Sequence, residues 1–472
     1  MANVSRGWVL GLVTLVVLPR LCHWDLIWVE EAYPAAAAVQ MLIGKIPYRD
    51  FFFDKPPLAP VFYLLFGAVD GWPLRLAGSA YVLLCCWLAY RFGASAWGHR
   101  EGRAAALLLG FFLTFWLPSA IMALAPDLLM LAPHVAAVWM ARTGRPIAAG
   151  ALVGVAMGVH TKGVFVLAAC ALWGSPMALA VGFLPVVAGG ALLLAAAGAL
   201  GGYLEQVWIW GARYASSPLP GDGWERAVYT TSRWIGFHLP LVIGAAWMLV
   251  RDRMADRTRW LLWVVVVFAG LLPGWRFFPR YYFLLLPVAV LAAARGLCLM
   301  PRRTVLALAA LLLIPLGRFG PRYVQLALDP QHQWADTAMG RDAVQAADLI
   351  GRQAKPGDTI LVWGYRPEIL MRTRLPLGTP WLDSQPLTGV LADRHLSDSR
   401  PTTANLANAN RRTLEQHRPT FFVDGLSAYN PALAPTAYPE LKGWLKQYYH
   451  MGATRGCRIY RLRESGRQDH GE

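Results

Sequence analysis

Several short runs carry residue types able to do chemistry. The run WDLIWVEEAY places Asp25, Glu30 and Glu31 close together. Glu30 and Glu31 stand where a helix should begin, flanked by Trp28 and Tyr33. A helix N-terminus favours an anion, and a fixed, partly desolvated carboxylate can take a proton as a general base. Loop carboxylates are also ordinary solvated charges, so both readings stand. Lys55, in FFFDKPPL, precedes two prolines that stiffen its backbone. It is either a snorkelling interfacial lysine or a cation held at headgroup depth for a lipid phosphate. Asp127, in ALAPDLL, is a helix cap, a functional acid at the mouth of a membrane helix, or both. Lys162 lies beside His160 between two apolar runs and can pair with a carboxylate such as Asp127. The run WRFFPRYYFLLLP supplies Arg276 and Arg280, with Tyr281 and Tyr282 following. Arginine binds phosphate through paired, charge-assisted donors; the competing reading is an aromatic–arginine interface anchor.

The elements that must position these residues are mainly membrane helices. Of 472 residues, 56% are hydrophobic and 15% charged, against about 25% charged in ordinary soluble domains. Candidate spans are 6–22, 73–97, 102–120, 125–141, 146–160, 162–175, 177–200, 234–250, 259–273, 281–299 and 303–319, about eleven by the usual length rule. The first follows Arg6 without a small-residue cleavage site and reads as an uncleaved span. Arg100, Arg103, Arg142, Arg145, Arg251, Arg253, Arg257, Arg259, Arg302 and Arg303 collect on one face. By the inside-positive rule that face is cytoplasmic. The first loop 23–72, the loop 201–233 and everything after about 320 then lie outside. Within the first loop, a helix through Pro34 and Ala35–Leu42 and another after Pro56–Pro57 are expected to lie on the interface.

The net charge of +16 does not point to nucleic acid, because many arginines sit in short gaps between apolar runs. The six cysteines contain no CxxC pair, so neither a disulfide framework nor a zinc site is supported. After Asp329 the composition turns polar. A helix is expected over 341–353, strands over 359–363, 420–423 and 458–462, and a helix over 438–449. The expected architecture is an α-helical polytopic membrane domain, 1–320, followed by a small extracytoplasmic α/β domain, 330–472.

The first-loop run WVEEAYPAAAAVQMLIGKIPYRDFFFDKPPL resembles bacterial C-type glycosyltransferases, closest to the protein O-mannosyltransferase-like family and the lipid A aminoarabinose transferases. The matching residues are Glu30, Glu31 and Tyr33; Gly44, Pro47, Tyr48 and Asp50; and Lys55, Pro56 and Pro57. Pro126–Asp127, Thr161–Gly163 and RFFPRYY also look like family features. The resemblance covers most of 1–320; the C-terminal domain is similar only in placement and size. It implies a polyprenyl-phosphate sugar donor, inversion at the anomeric carbon, and Glu30 as base where the family usually has Asp. Some relatives carry an arginine just after the acids; here Lys55, Arg276 and Arg280 would supply that charge. Tyr33, Tyr48, Asp50, Tyr281 and Tyr282 become candidates to line the substrate site.

The expected function is an inverting glycosyltransferase in the inner membrane, acting on an extracytoplasmic lipid, glycan or protein. An acidic cluster would take the acceptor's proton and a basic cluster would stabilise the phosphate leaving group. Hard oxygen ligands from Glu30, Glu31 and Asp127 would suit magnesium or manganese; Glu30 and Asp127 are the named candidates. The competing reading is a flippase or transporter of lipid-linked envelope precursors. It predicts polar groups near the midplane and matching halves, and the sequence shows few charges at mid-span and no repeat.

Overall fold

Leu-, Val- and Ala-rich segments form helices in lipid because every backbone group must be paired within the segment. The computed structural model describes residues 6–252 and 256–463. Arg253 and the end of the expected C-terminal domain, 464–472, lie outside the described residues. By length and composition, Trp72–Ala96, Pro176–Ala196 and Arg302–Leu328 can cross a membrane. Gly223–Phe237 and Leu239–Arg251 would count as a fourth span, bent by 84°. The expected eleven are therefore not all established by this criterion. Others appear as shorter apolar helices, such as Pro146–Val159 and Leu286–Leu299. The segment expected over 125–141 divides into Pro126–Leu129 and Leu131–Arg142. Pro176–Ala196 turns Leu184, Leu192 and Leu193 outward, as a lipid-facing helix does. Its inner side packs closely on Pro146–Val159, where a Cβ at Gly150 would collide with Leu179 O and one at Gly182 with Ile147 O. Small residues at such crossings let helix backbones approach.

The first loop departs from expectation. Its helix Val29–Leu42 begins before Pro34, with Glu30 and Glu31 in the first turn. It does not lie on an interface. Ala32, Tyr33, Ala35–Ala38 and Val39 are buried, and the helix packs against Pro367–Thr373 of the C-terminal domain and against Leu58–Leu64. Between its polar ends, the stretch 32–39 is apolar on all sides, as in a helix that belongs in an interior.

The C-terminal domain contains helix Ala338–Gly351 and four strands: β1 (Ile360–Trp363), β2 (Phe421–Asp424), β3 (Tyr448–Ala453) and β4 (Arg458–Leu462). The order is β1-β2-β4-β3. β1 and β2 are parallel, and the other pairs are antiparallel. The helix expected over 438–449 is a correction. Pro439–Leu441 is a 3-10 turn and Lys442–Leu445 one short helical turn, and the chain then enters β3. Pairing with β4 supplies the backbone partners a helix would have supplied, and Thr454 N donates to Cys457 O in the connecting turn.

Polar contacts dock the domain on the helical region. Gln40, fully buried, donates to Leu375 O (3.0 Å) and accepts from Leu377 N (2.9 Å). Arg372 pairs with Asp70 at 2.7 Å and Arg341 with Asp25 at 3.2 Å. Arg394 donates to Ser217 O and Pro218 O. Asp25 is therefore part of the docking seam.

Candidate active site

Adjacent residues on a helix point about 100° apart, so Glu30 and Glu31 face different surroundings. Glu31 points inward and is fully buried. It forms a bidentate pair with Arg75 and accepts from Trp28 N at 3.2 Å and Leu124 N at 3.0 Å. Arg75 also donates to Leu26 O and Met122 O. Every bond available to Glu31 is thus spent joining the first loop to Trp72–Ala96 and to the 122–124 segment. Glu30 turns the other way, into a cavity of about 660 Å³ between the helical region and the C-terminal domain.

The cavity gathers most of the charged residues singled out in the sequence: Glu30, Lys55, Asp127, Lys162 and Arg280 all line it. Arg280 bridges the two acids, with Nη1 at 2.8 Å from Glu30 Oε1 and Nε at 3.5 Å from Asp127 Oδ2. Asp127 also faces Lys162 Nζ at 3.6 Å and His160 Nε2 at 3.4 Å. His160 Nδ1 accepts from Lys162 N at 3.1 Å, which leaves the ring proton on Nε2, toward Asp127. Lys162 Nζ lies over the Tyr281 ring, 2.9 Å from its centroid, a cation–π contact. Lys55 Nζ sits 3.0 Å from Asp54 Oδ1 and reaches over Tyr33. Burial alone would lower the Lys55 pKa, but Asp54 outweighs burial and the net shift is upward. Lys55 is therefore a firm cation.

Other candidates stand behind the wall or away from the cavity. Arg276 is fully buried, lies over the Tyr214 ring and pairs with Asp393 at 2.6 Å. It also donates to Ser217 O at 3.0 Å. Its guanidinium therefore ties the Pro273–Trp275 turn to the C-terminal domain. Tyr282 is buried, hydrogen bonds with Thr231 at 2.6 Å and stacks on Trp234. Tyr33 is buried against Phe53 and Tyr365. Tyr48, at φ +68, donates to Lys55 O at 2.6 Å and so shapes the turn that presents the lysine. Asp50 pairs with exposed Arg49 and accepts from Ile46 N at 2.7 Å. Only Tyr281 among the expected lining tyrosines and Asp50 lines this cavity.

The C-terminal domain supplies lining residues that sequence reasoning missed, among them Tyr365, Arg366, Glu368 and Asp393. A signal was present. β1 and β2 run parallel and end at Gly364 and Gly425, and ligands gather beyond the carboxyl ends of parallel strands. Gly364 is at φ +119, and a Cβ there would press on the Gly425 backbone at 3.2 Å. Burial raises the Glu368 pKa to about 7. Burial, with the nearby charge of Asp54, raises that of Asp383 to about 7.

The expected metal ligands are poorly placed for one. Among the described residues no group of three or more His, Cys, Asp or Glu could hold a metal ion. Arg280 already occupies the space between Glu30 and Asp127.

No family model matches the chain, and no curated protein matches it significantly in sequence. Solved structures do match. ArnT from Cupriavidus metallidurans bound to undecaprenyl phosphate superposes with a TM-score of 0.67 at 16% identity, over 98% of this chain and 100% of that one. Its apo state gives 0.66 at 15% identity, over 97% and 98%. The archaeal oligosaccharyltransferase AglB from Archaeoglobus fulgidus, in complex with an inhibitory peptide and a dolichol-phosphate, gives 0.51 at 12% identity, over 95% and 73%. The chain shares the fold of these structures, and the match to ArnT extends through the C-terminal domain.

Proposed function

We propose that the chain is a glycosyltransferase that moves a hexose or pentose from a polyprenyl-phosphate donor to an extracytoplasmic acceptor, inverting the anomeric carbon. One observation carries the reading. Glu30 and Asp127 share a single cavity with Lys55, Lys162 and Arg280, in a fold shared with ArnT, which was solved with undecaprenyl phosphate bound. In the reaction, an acceptor hydroxyl oxygen bonds to the anomeric carbon as that carbon's bond to the phosphate oxygen breaks. The electron pair leaves with the polyprenyl phosphate, and the hydroxyl proton passes to Glu30. The leaving group gains charge rather than needing a proton, so fixed cations stabilise it. Lys55 and Arg280 supply them. A phosphate drawing on Arg280 would loosen its pair with Glu30 and free the carboxylate to act as base. Asp127 holds Arg280, Lys162 and His160 in place. Glu31 and Arg276 act through position.

The protein cations meet the charge demand without a metal. Magnesium or manganese between Glu30 and Asp127 would require Arg280 to move away. The arginine-rich loops support an inner-membrane location with the cavity and C-terminal domain outside the cytoplasm.

The test uses purified protein in nanodiscs with polyprenyl-phosphate sugars. The wild type should release sugar from the donor, and Glu30→Gln should slow release about 10²- to 10⁴-fold while still binding polyprenyl phosphate. Full turnover by the Glu30→Gln, Glu31→Gln double variant would reject the mechanism. Donor movement across a vesicle membrane without sugar release would favour the flippase reading.

A further inference from the structure

We propose that Arg366 and Glu368, on the C-terminal domain, form a subsite for neighbouring hydroxyls of a sugar. The inference deepens the glycosyltransferase reading by assigning the domain a share in sugar recognition, and it rests on that reading.

Both residues line the same cavity as Glu30 and Arg280, and both are almost wholly buried, at 2% and 3% exposure. Each has unspent hydrogen-bonding capacity. Among the described residues, Arg366 Nε and Nη1 and Glu368 Oε2 have no hydrogen-bond partner. Buried polar atoms are seldom left so, and each such atom costs free energy. They do not satisfy one another, for among the described residues Arg366 is ion-paired with Asp342, at 3.0 Å, and not with Glu368. Arg366 is held in that posture. Its Nη2 donates to Met339 O at 2.7 Å and to Asp342, which is itself held by Gly456 N at 2.9 Å. Gly425 keeps the space open, since a Cβ there would lie 2.9 Å from Arg366 Cγ.

The chemistry of the pair narrows the ligand. Guanidinium only donates, and Glu368 only accepts once it is ionised. A phosphate would suit Arg366 but be repelled by the ionised form of Glu368. An ammonium group would suit Glu368 but be repelled by Arg366. A hydroxyl both accepts and donates, so two hydroxyls on adjacent sugar carbons satisfy the two side chains together. The sugar belongs either to the donor or to the acceptor.

The experiment compares wild type with Glu368→Gln and Glu368→Ala in nanodiscs. Tryptophan fluorescence reads binding of polyprenyl phosphate and of polyprenyl-phosphate mannose, glucose and arabinose. Saturation-transfer NMR reads contact with free methyl mannoside, glucoside and arabinoside when the donor site is saturated with polyprenyl phosphate. If the subsite takes the donor sugar, the sugar should add at least tenfold to wild-type affinity for some donor. Both variants should lose that gain while binding bare polyprenyl phosphate within twofold of wild type. If it takes the acceptor sugar, donor affinity should not change, and a glycoside signal seen in wild type should vanish in both variants. The melting temperature of Glu368→Gln should equal or exceed that of wild type, because a purely structural carboxylate would lower it on removal. Sugar binding independent of Glu368, or no sugar binding by the wild type, overturns the subsite. Sugar binding that depends on Glu368, without sugar release from any donor, keeps the subsite and rejects the glycosyltransferase reading.

Discussion

Two neighbouring glutamates show how sharply environment divides like residues. Glu30 faces a cavity and a single arginine, whereas Glu31 is fully buried with all its capacity spent. The adjacency was plain in the sequence, but which acid faced the core was not. That depends on Arg75, a residue inside an expected span that carried no motif. The two acids should therefore fail differently. Glu30→Gln should lower turnover about 10²- to 10⁴-fold, the usual worth of a general base, with little change in melting temperature. Glu31→Gln leaves Arg75 as a buried, partly uncompensated charge, which typically costs about 3–5 kcal/mol. It should lower the melting temperature and the yield of folded protein. Thermal unfolding followed by intrinsic fluorescence, beside donor turnover, separates the outcomes. A stable Glu31→Gln variant with no turnover would give that residue a direct part in catalysis. The same contrast divides Arg280, which lines the cavity, from Arg276, whose guanidinium holds the wall against Asp393. Spacing within RFFPRYY made them look equivalent.

At the scale of elements, the long apolar runs were legible because lipid forces them into helices. Several helix boundaries, such as Pro146–Val159 and Trp72–Ala96, fall within a residue or so of expectation. What sequence could not supply was the partner of each short element. The Val29–Leu42 helix looked interfacial because its neighbour Pro367–Thr373 lies more than 300 positions along the chain. β3 looked helical because its pairing with β4 is tertiary. The docking of the first-loop helix rests on Gln40, which bonds in both directions to the segment beside β1. Gln40→Ala would leave Leu375 O and Leu377 N without that partner, at about 1–3 kcal/mol for a buried group. Hydrogen exchange should report faster exchange at Leu377 in this variant, with the membrane helices unchanged. Unaltered protection there would mean that other contacts carry the docking.

For the molecule as a whole, two buried acids of the C-terminal domain should make part of the stability depend on pH. Glu368 lines the cavity with Arg366 and Glu30, and burial raises it from 4.5 to about 7. Asp383 faces Asp54, Tyr33 and Gln385, and burial raises it from 3.8 to about 7. A carboxyl whose folded pKa exceeds its unfolded value holds a proton in the folded state that the unfolded chain has already released. Its contribution to stability is greatest below the unfolded pKa and is lost as pH rises through the folded value. The window for both groups is therefore about pH 4 to 7, with at most about 3–4 kcal/mol for each. Buried His395, lowered by desolvation to about 4, works the other way and adds stability as pH rises toward its unfolded value. The readout is therefore the difference in melting temperature between variant and wild type in nanodiscs from pH 5 to pH 7.5. That difference should grow in favour of Glu368→Gln and of Asp383→Asn as pH rises, and most for the double variant. Because Glu368 lines the cavity, a bound sugar that donates to its carboxylate should raise the wild-type melting temperature more at pH 7.5 than at pH 5. That ligand effect should be absent from Glu368→Gln. Variant and wild-type melting temperatures that run parallel across this window would deny the two buried acids their assigned part in the pH response.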